Sequence, residues 1–169
     1  DLNQRYPGRA TVINSGKGSM WSGWGVENLD SRVISKSPDT VFIEFAVNDA
    51  FLPNNTTVEQ ARKNLELMID RIKAAKSSTE IILTVTNPVI GASAVQRPQL
   101  RDYFQMYRDV AKARGLRLID NYPRWEAVLK SNPDLFNQYV ADGLHPNADG
   151  YRAVVIPSLI ESLSGASPD

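Results

Sequence analysis

Thr40-Val-Phe-Ile-Glu-Phe-Ala46, Thr56-Thr-Val-Glu59 and Glu80-Ile-Ile-Leu-Thr-Val-Thr86 are the stretches whose reading decides the fold of this 169-residue chain. The first and last are apolar, β-branched runs of strand length bounded by polar or turn-forming residues. The middle one reads as a capping box, in which a threonine side chain and a glutamate three residues on satisfy the first free N–H groups of a helix. It opens a stripe at Val58, Ala61, Leu65, Met68, Ile69, Ile72 and Ala75, the spacing of one apolar helical face. Strand, long helix and strand make a βαβ unit, and a crossover helix makes its two strands parallel.

The same alternation continues outward. Ala10–Asn14 and Leu116–Asp120 read as further strands. Leu100, Tyr103, Phe104, Tyr107, Val110 and Ala111 form a second helical stripe, stopped by Gly115. A last helix is expected from Asn147 to about Leu163, with Tyr151, Val154, Val155, Leu159 and Ile160 facing inward. Pro157 should kink or divide it, because proline removes a backbone donor. No repeat, low-complexity tract or linker breaks the chain, so residues 1–169 are expected to form a single α/β domain. Its parallel sheet should be covered on both faces.

Composition excludes several functions. Apolar residues are 42% of the chain and charged ones 22%, ordinary values for a globular protein. Nineteen basic side chains balance nineteen acidic ones, which gives no electrostatic reason to expect nucleic acid or an anionic membrane as partner. With no cysteine, disulfides and thiolate catalysis are out. One histidine among scattered carboxylates offers no metal-ligand spacing, and no cofactor motif is present. No apolar run approaches the roughly 18–20 residues of a membrane helix. The compartment stays open, with an extracytoplasmic location slightly favoured.

Ligands of parallel sheets sit beyond the carboxyl ends of the strands, and three such loops hold the notable polar residues. Asp142-Gly-Leu-His145-Pro-Asn contains the single histidine. Gly143 permits a tight turn that sets the Asp142 carboxylate against Nδ1–H of His145 and leaves Nε2 free as a base. Asn147 then caps the last helix. Asn48-Asp49 follows the strand at 40–46, where an amide N–H aimed at the crevice can stabilise charge on a carbonyl oxygen. Asp49 is expected to hold that loop. Asn14-Ser-Gly16 ends the first strand and can expose backbone N–H groups. Ser15, Ser19 and Ser22 are candidate nucleophiles, but none lies in a Gly-x-Ser-x-Gly elbow. Trp21, Trp24 and Trp125 can line a sugar surface or pack in the core.

Together these segments resemble the SGNH (GDSL-type) hydrolases, and the likeness covers essentially the whole chain. The resemblance implies a flavodoxin-like, three-layer α/β/α sandwich. It implies Gly16 and Asn48 as oxyanion-hole donors, and Asp142 and His145 as acid and base of a catalytic triad. Ala46 stands where the family usually has glycine, a swap expected to narrow the crevice. The family's first block, Gly-Asp-Ser at the end of its central strand, is absent. The domain is thus expected to be N-terminally incomplete, with a strand and a nucleophilic serine supplied from roughly 20–40 residues upstream or by another chain. Leu2–Tyr6 would end the helix leading from that strand, and residues 1–169 alone should be inactive.

Two functions compete on this reading. One is a serine ester hydrolase acting on small acyl esters, acetyl groups on carbohydrate included. The other is a catalytically degenerate relative that binds glycans in the same crevice. Retention of Asp142, His145 and Asn48 together favours the enzyme. A nucleotide-binding domain is disfavoured, since no phosphate loop is present.

Overall fold

A computed structural model describes Pro7, Gly8 and residues 10–164. Three parallel strands, β1 (Thr40–Ile43), β2 (Glu80–Val85) and β3 (Arg117–Asp120), form an open sheet in the order β1-β2-β3. The register pairs Ile43 with Leu83 and Leu83 with Leu118, so alternate residues of all three strands share a face.

The helices follow in chain order: α1 (Ser22–Arg32), the single turn α2 (Ala46–Asp49), α3 (Val58–Ala75), α4 (Gly91–Val95) and α5 (Leu100–Arg114). After β3 come α6 (Tyr122–Ser131), α7 (Pro133–Tyr139), α8 (Ala148–Gly150), a π-helical turn (Tyr151–Val155) and α9 (Ile156–Leu163). The apolar stripes read from the sequence form the main core. Leu65, Met68, Ile69 and Ile72 of α3 and Phe104, Tyr107 and Val110 of α5 bury themselves with Val41, Ile43, Ile81, Leu83 and Val85. A second cluster gathers Trp125, Phe136, Val140 and Val154 among α6, α7 and the π-turn. Trp125 is fully buried there, so it packs in the core and lines no sugar surface.

Local details differ from expectation. The cap of α3 is Thr57, whose side chain accepts from Gln60 N–H; Glu59 pairs with Lys63 instead of completing a capping box. Pro157 does divide the last helix, standing in the first turn of α9 directly after the π-turn. The wider turn, with its i→i+5 bonding, shifts side chains around the axis. Tyr151, expected inward, is consequently 48% exposed, while Val154 is buried.

The larger correction concerns Ala10–Asn14. This segment forms no strand, and Val12 and Ile13 are exposed. Its β-branched composition favours extended backbone, but a strand needs a ladder partner. No strand lies beside it among the described residues. The edge of β1 away from β2 is likewise unpaired among the described residues, and Phe42 on it is 44% exposed. The expectation for Leu2–Tyr6 falls outside the described residues.

Candidate active site

After α7 the chain turns sharply through Asp142-Gly-Leu-His145. Gly143 has φ +71°, and a Cβ there would stand 2.7 Å from the backbone oxygen of Ile90, so the turn needs glycine for both conformation and space. Asp142 Oδ1 accepts from the N–H groups of Leu144 and His145, at 2.9 and 2.7 Å. Its Oδ2 lies 2.7 Å from His145 Nδ1. An ionised carboxylate only accepts, so Nδ1 carries the proton and Nε2 is left with a free lone pair. The His145 N–H, followed by the imidazole contact, pulls the Asp142 carboxyl down to about 2. Just beyond, Asn147 Oδ1 accepts from Asp149 and Gly150 N–H, while its amide donates to the Gln138 carbonyl. The histidine thus stands on a junction fixed from both sides.

Asn48 lies in α2, shortly after β1. Its Nδ2 donates to the Met20 carbonyl at 2.9 Å, which fixes the amide and leaves one hydrogen for a ligand. Gly16 N–H donates to Asn14 Oδ1 at 3.1 Å, so it must leave that bond to serve another acceptor. Gly16 and Asn48 line one groove, together with Lys17, Phe42 and Glu44 beside the open edge of β1. Ala46 does not line it. Its methyl is fully buried in the core, so the expected narrowing of the crevice does not occur.

Two carboxyls support the Asn48 loop. Asp49 is buried and accepts from Ser22 N–H in the first turn of α1 at 2.8 Å, which locks Met20–Ser22 against the Asn48 loop. Burial pushes its carboxyl up to about 6, against the pull of the Ser22 bonds. Glu44, half-buried, accepts from Val47 N–H at 3.3 Å. Its carboxyl is pushed up to about 7 by desolvation.

The structure therefore brings together Asp142 with His145, and Gly16 with Asn48. Among the described residues no hydrogen bond joins the two pairs. Ser15 and Ser22 do not bridge them: Ser15 Oγ donates to the Arg32 carbonyl, and Ser22 Oγ accepts from Asn64. Sequence reasoning missed the residues that hold the histidine turn from outside, Asn87 and Ile90. The one signal available was their place after the strand at 80–86, the position that drew attention to Asn48.

An open parallel sheet with an Asp–His pair held in a loop packed beyond the carboxyl end of β2 defines an α/β protein with a candidate catalytic pair. The GDSL-like lipase/acylhydrolase family model matches residues 1–153, and the chain belongs to that family. No curated protein sequence matches it. Among solved structures, a lipase/acylhydrolase from Enterococcus faecalis is similar at 28% identity and a TM-score of 0.71, covering 89% of this chain and 74% of that one. A catalytic mutant of an acetylxylan esterase from Geobacillus stearothermophilus shares the fold at 20% identity and a TM-score of 0.80, covering 96% and 76% of the two chains. So does an α/β hydrolase enzyme from the metagenome of Lake Arreo, Spain, at 22% identity and a TM-score of 0.80, covering 99% and 79%. The chain is accordingly an ester hydrolase at the level of its family.

Proposed function

We propose that this chain forms the greater part of a serine esterase that removes small acyl groups, with acetyl esters of carbohydrate as the substrate class. The carrying observation is the Asp142–His145 turn, which holds Nδ1–H on a carboxylate at 2.7 Å and leaves Nε2 to act as base. Kinship in fold to an acetylxylan esterase supports the acetyl preference.

The nucleophile is a serine on a further strand, from an N-terminal segment or another chain, seated along the unpaired edge of β1. Open backbone groups on that edge, the exposed Phe42 and the groove running to Gly16 support this placement. The serine hydroxyl attacks the ester carbonyl as His145 Nε2 takes its proton, and the imidazolium is held by Asp142. Asn48 Nδ2–H and Gly16 N–H receive the negative charge on the carbonyl oxygen, and each such donor is worth about 3 kcal/mol in the transition state. His145 then protonates the departing alcohol, and water releases the acyl group by the reverse sequence.

The test is p-nitrophenyl acetate hydrolysis by the protein carrying its nucleophile strand, with and without His145→Ala. Collapse of turnover in the variant is expected; undiminished turnover rejects His145 as the base. The rival role, glycan binding without catalysis, is distinguished by a wild-type protein that retains glycan and turns over no ester.

A further inference from the structure

Three consecutive carbonyls of the histidine turn are gripped by a single neighbouring segment. Leu144 O accepts from Asn87 Nδ2 at 3.1 Å, and Gly143 O accepts from Ile90 N–H at 3.0 Å. Asp142 O lies 3.5 Å from the Ser93 hydroxyl that donates to it. All three donors lie between β2 and α5. Asn87 is buried, and the same amide nitrogen also donates to Pro88 O at 3.0 Å. Its position directly beyond the carboxyl end of β2 ties this grip to the sheet itself.

The segment also reaches the Asn48 loop. Arg97 is buried, with Nε donating to Val47 O at 2.9 Å and Nη1 to Ser93 O at 3.3 Å. Its guanidinium lies 4.7 Å from the centre of the Phe51 ring, and Leu52 N–H donates to Gln96 O at 3.0 Å. One end of residues 87–97 holds the turn before His145, and the other holds the backbone before Asn48.

We infer that residues 87–97 form a bracket that aligns the base with the oxyanion donor, and that Asn87 is the positioning residue for His145. This rests on the esterase role proposed above. Asn87 touches no reacting atom. Its amide holds the carbonyl next to His145, and so fixes where the imidazole stands relative to the sheet and Asn48. The half-buried Leu144 carbonyl, stripped of its donor, pulls the turn toward water. A displacement of about 1 Å at a reacting group can cost on the order of 100-fold in rate.

The experiment compares Asn87→Leu with the wild type in the protein carrying its nucleophile strand. The expected result is a fall in kcat on the order of 10- to 100-fold with KM within about twofold. Residues 1–169 hold one histidine, and the imidazole ¹⁵N shifts that His145→Ala removes are its own. They should move from the Nδ1–H tautomer toward the Nε2–H tautomer that a free imidazole favours. Thr79→Val is the control. It removes the buried bond from Thr79 to the Pro38 carbonyl at the other end of β2, and should lower the Tm while leaving kcat and tautomer unchanged. If Asn87→Leu does not fold, Asn87→Asp, which keeps the volume and loses the donor, carries the same expectation. A folded Asn87 variant with wild-type kcat and tautomer overturns the inference. Turnover independent of His145 would sink the esterase reading, whereas the tautomer measurement would still decide whether Asn87 holds the turn.

Discussion

Asp142 commits both carboxylate oxygens to one purpose, with Oδ1 organising the backbone of the turn and Oδ2 the imidazole. Asp142→Asn keeps the volume but offers Nδ1 an amide in place of a full charge, so the histidine loses its enforced tautomer. The expected outcome is a fall in kcat of about 10⁴-fold, the size seen for this change in other triads, measured as steady-state ester hydrolysis. Asp49 carries the opposite electrostatics. Its folded pKa of about 6 lies above the ordinary 3.8, so the folded state holds the proton more tightly than the unfolded chain. Its contribution to stability is fully present below about pH 3.8 and is lost as pH rises through 6. Asp49→Asn keeps an acceptor for Ser22 N–H without the buried charge. Thermal unfolding from pH 4 to 7 should show a shallower decline of Tm in this variant; a slope equal to that of the wild type would reject the assignment. Glu44, raised for the same reason, contributes to the slope that remains.

At the scale of elements, the histidine turn is built by fitting a loop against its neighbour. Gly143 is the tightest point: φ is positive, and the space a Cβ would need is occupied by the Ile90 carbonyl. Gly143→Ala should therefore destabilise the fold by about 1–3 kcal/mol and lower kcat together with stability, read from urea unfolding and esterase assay. The Asp-x-x-His spacing and the glycine made this turn legible in the sequence, because its bonds span three residues or fewer. Asn87 was not legible. Its partner, Leu144, is 57 residues away, and nothing local in Thr86-Asn87-Pro88 distinguishes a tether from ordinary turn chemistry. The stripes of α3 and α5 were readable for the same reason as the turn, since periodicity along one helix is local. Tyr151 was misplaced because the π-turn ahead of Pro157 changes that period partway through a helix.

At the scale of the whole molecule, β1 pairs on one side only among the described residues. The sequence made the βαβ units and the parallel sheet plain, yet Ala10–Asn14 could not become a strand on composition alone, because pairing is a property of two segments. The exposed Phe42 is the residue most sensitive to whether a further strand joins that edge. It projects from the sheet face opposite Val41 and Ile43, which already lie in the core. Seating another strand, with the helix that must cross over to it, would bury the ring and contribute about 1.5–3 kcal/mol. Phe42→Asp should thus cost less stability in residues 1–169 alone, where the ring is 44% exposed. In a protein that includes the nucleophile strand the same change should cost about 2–4 kcal/mol, adding the lost burial to the expense of enclosing a carboxylate. Urea unfolding of the two forms, each with and without the substitution, measures the difference directly. Equal effects in both would mean that the nucleophile strand does not seat on β1, and the serine would have to reach His145 by another route.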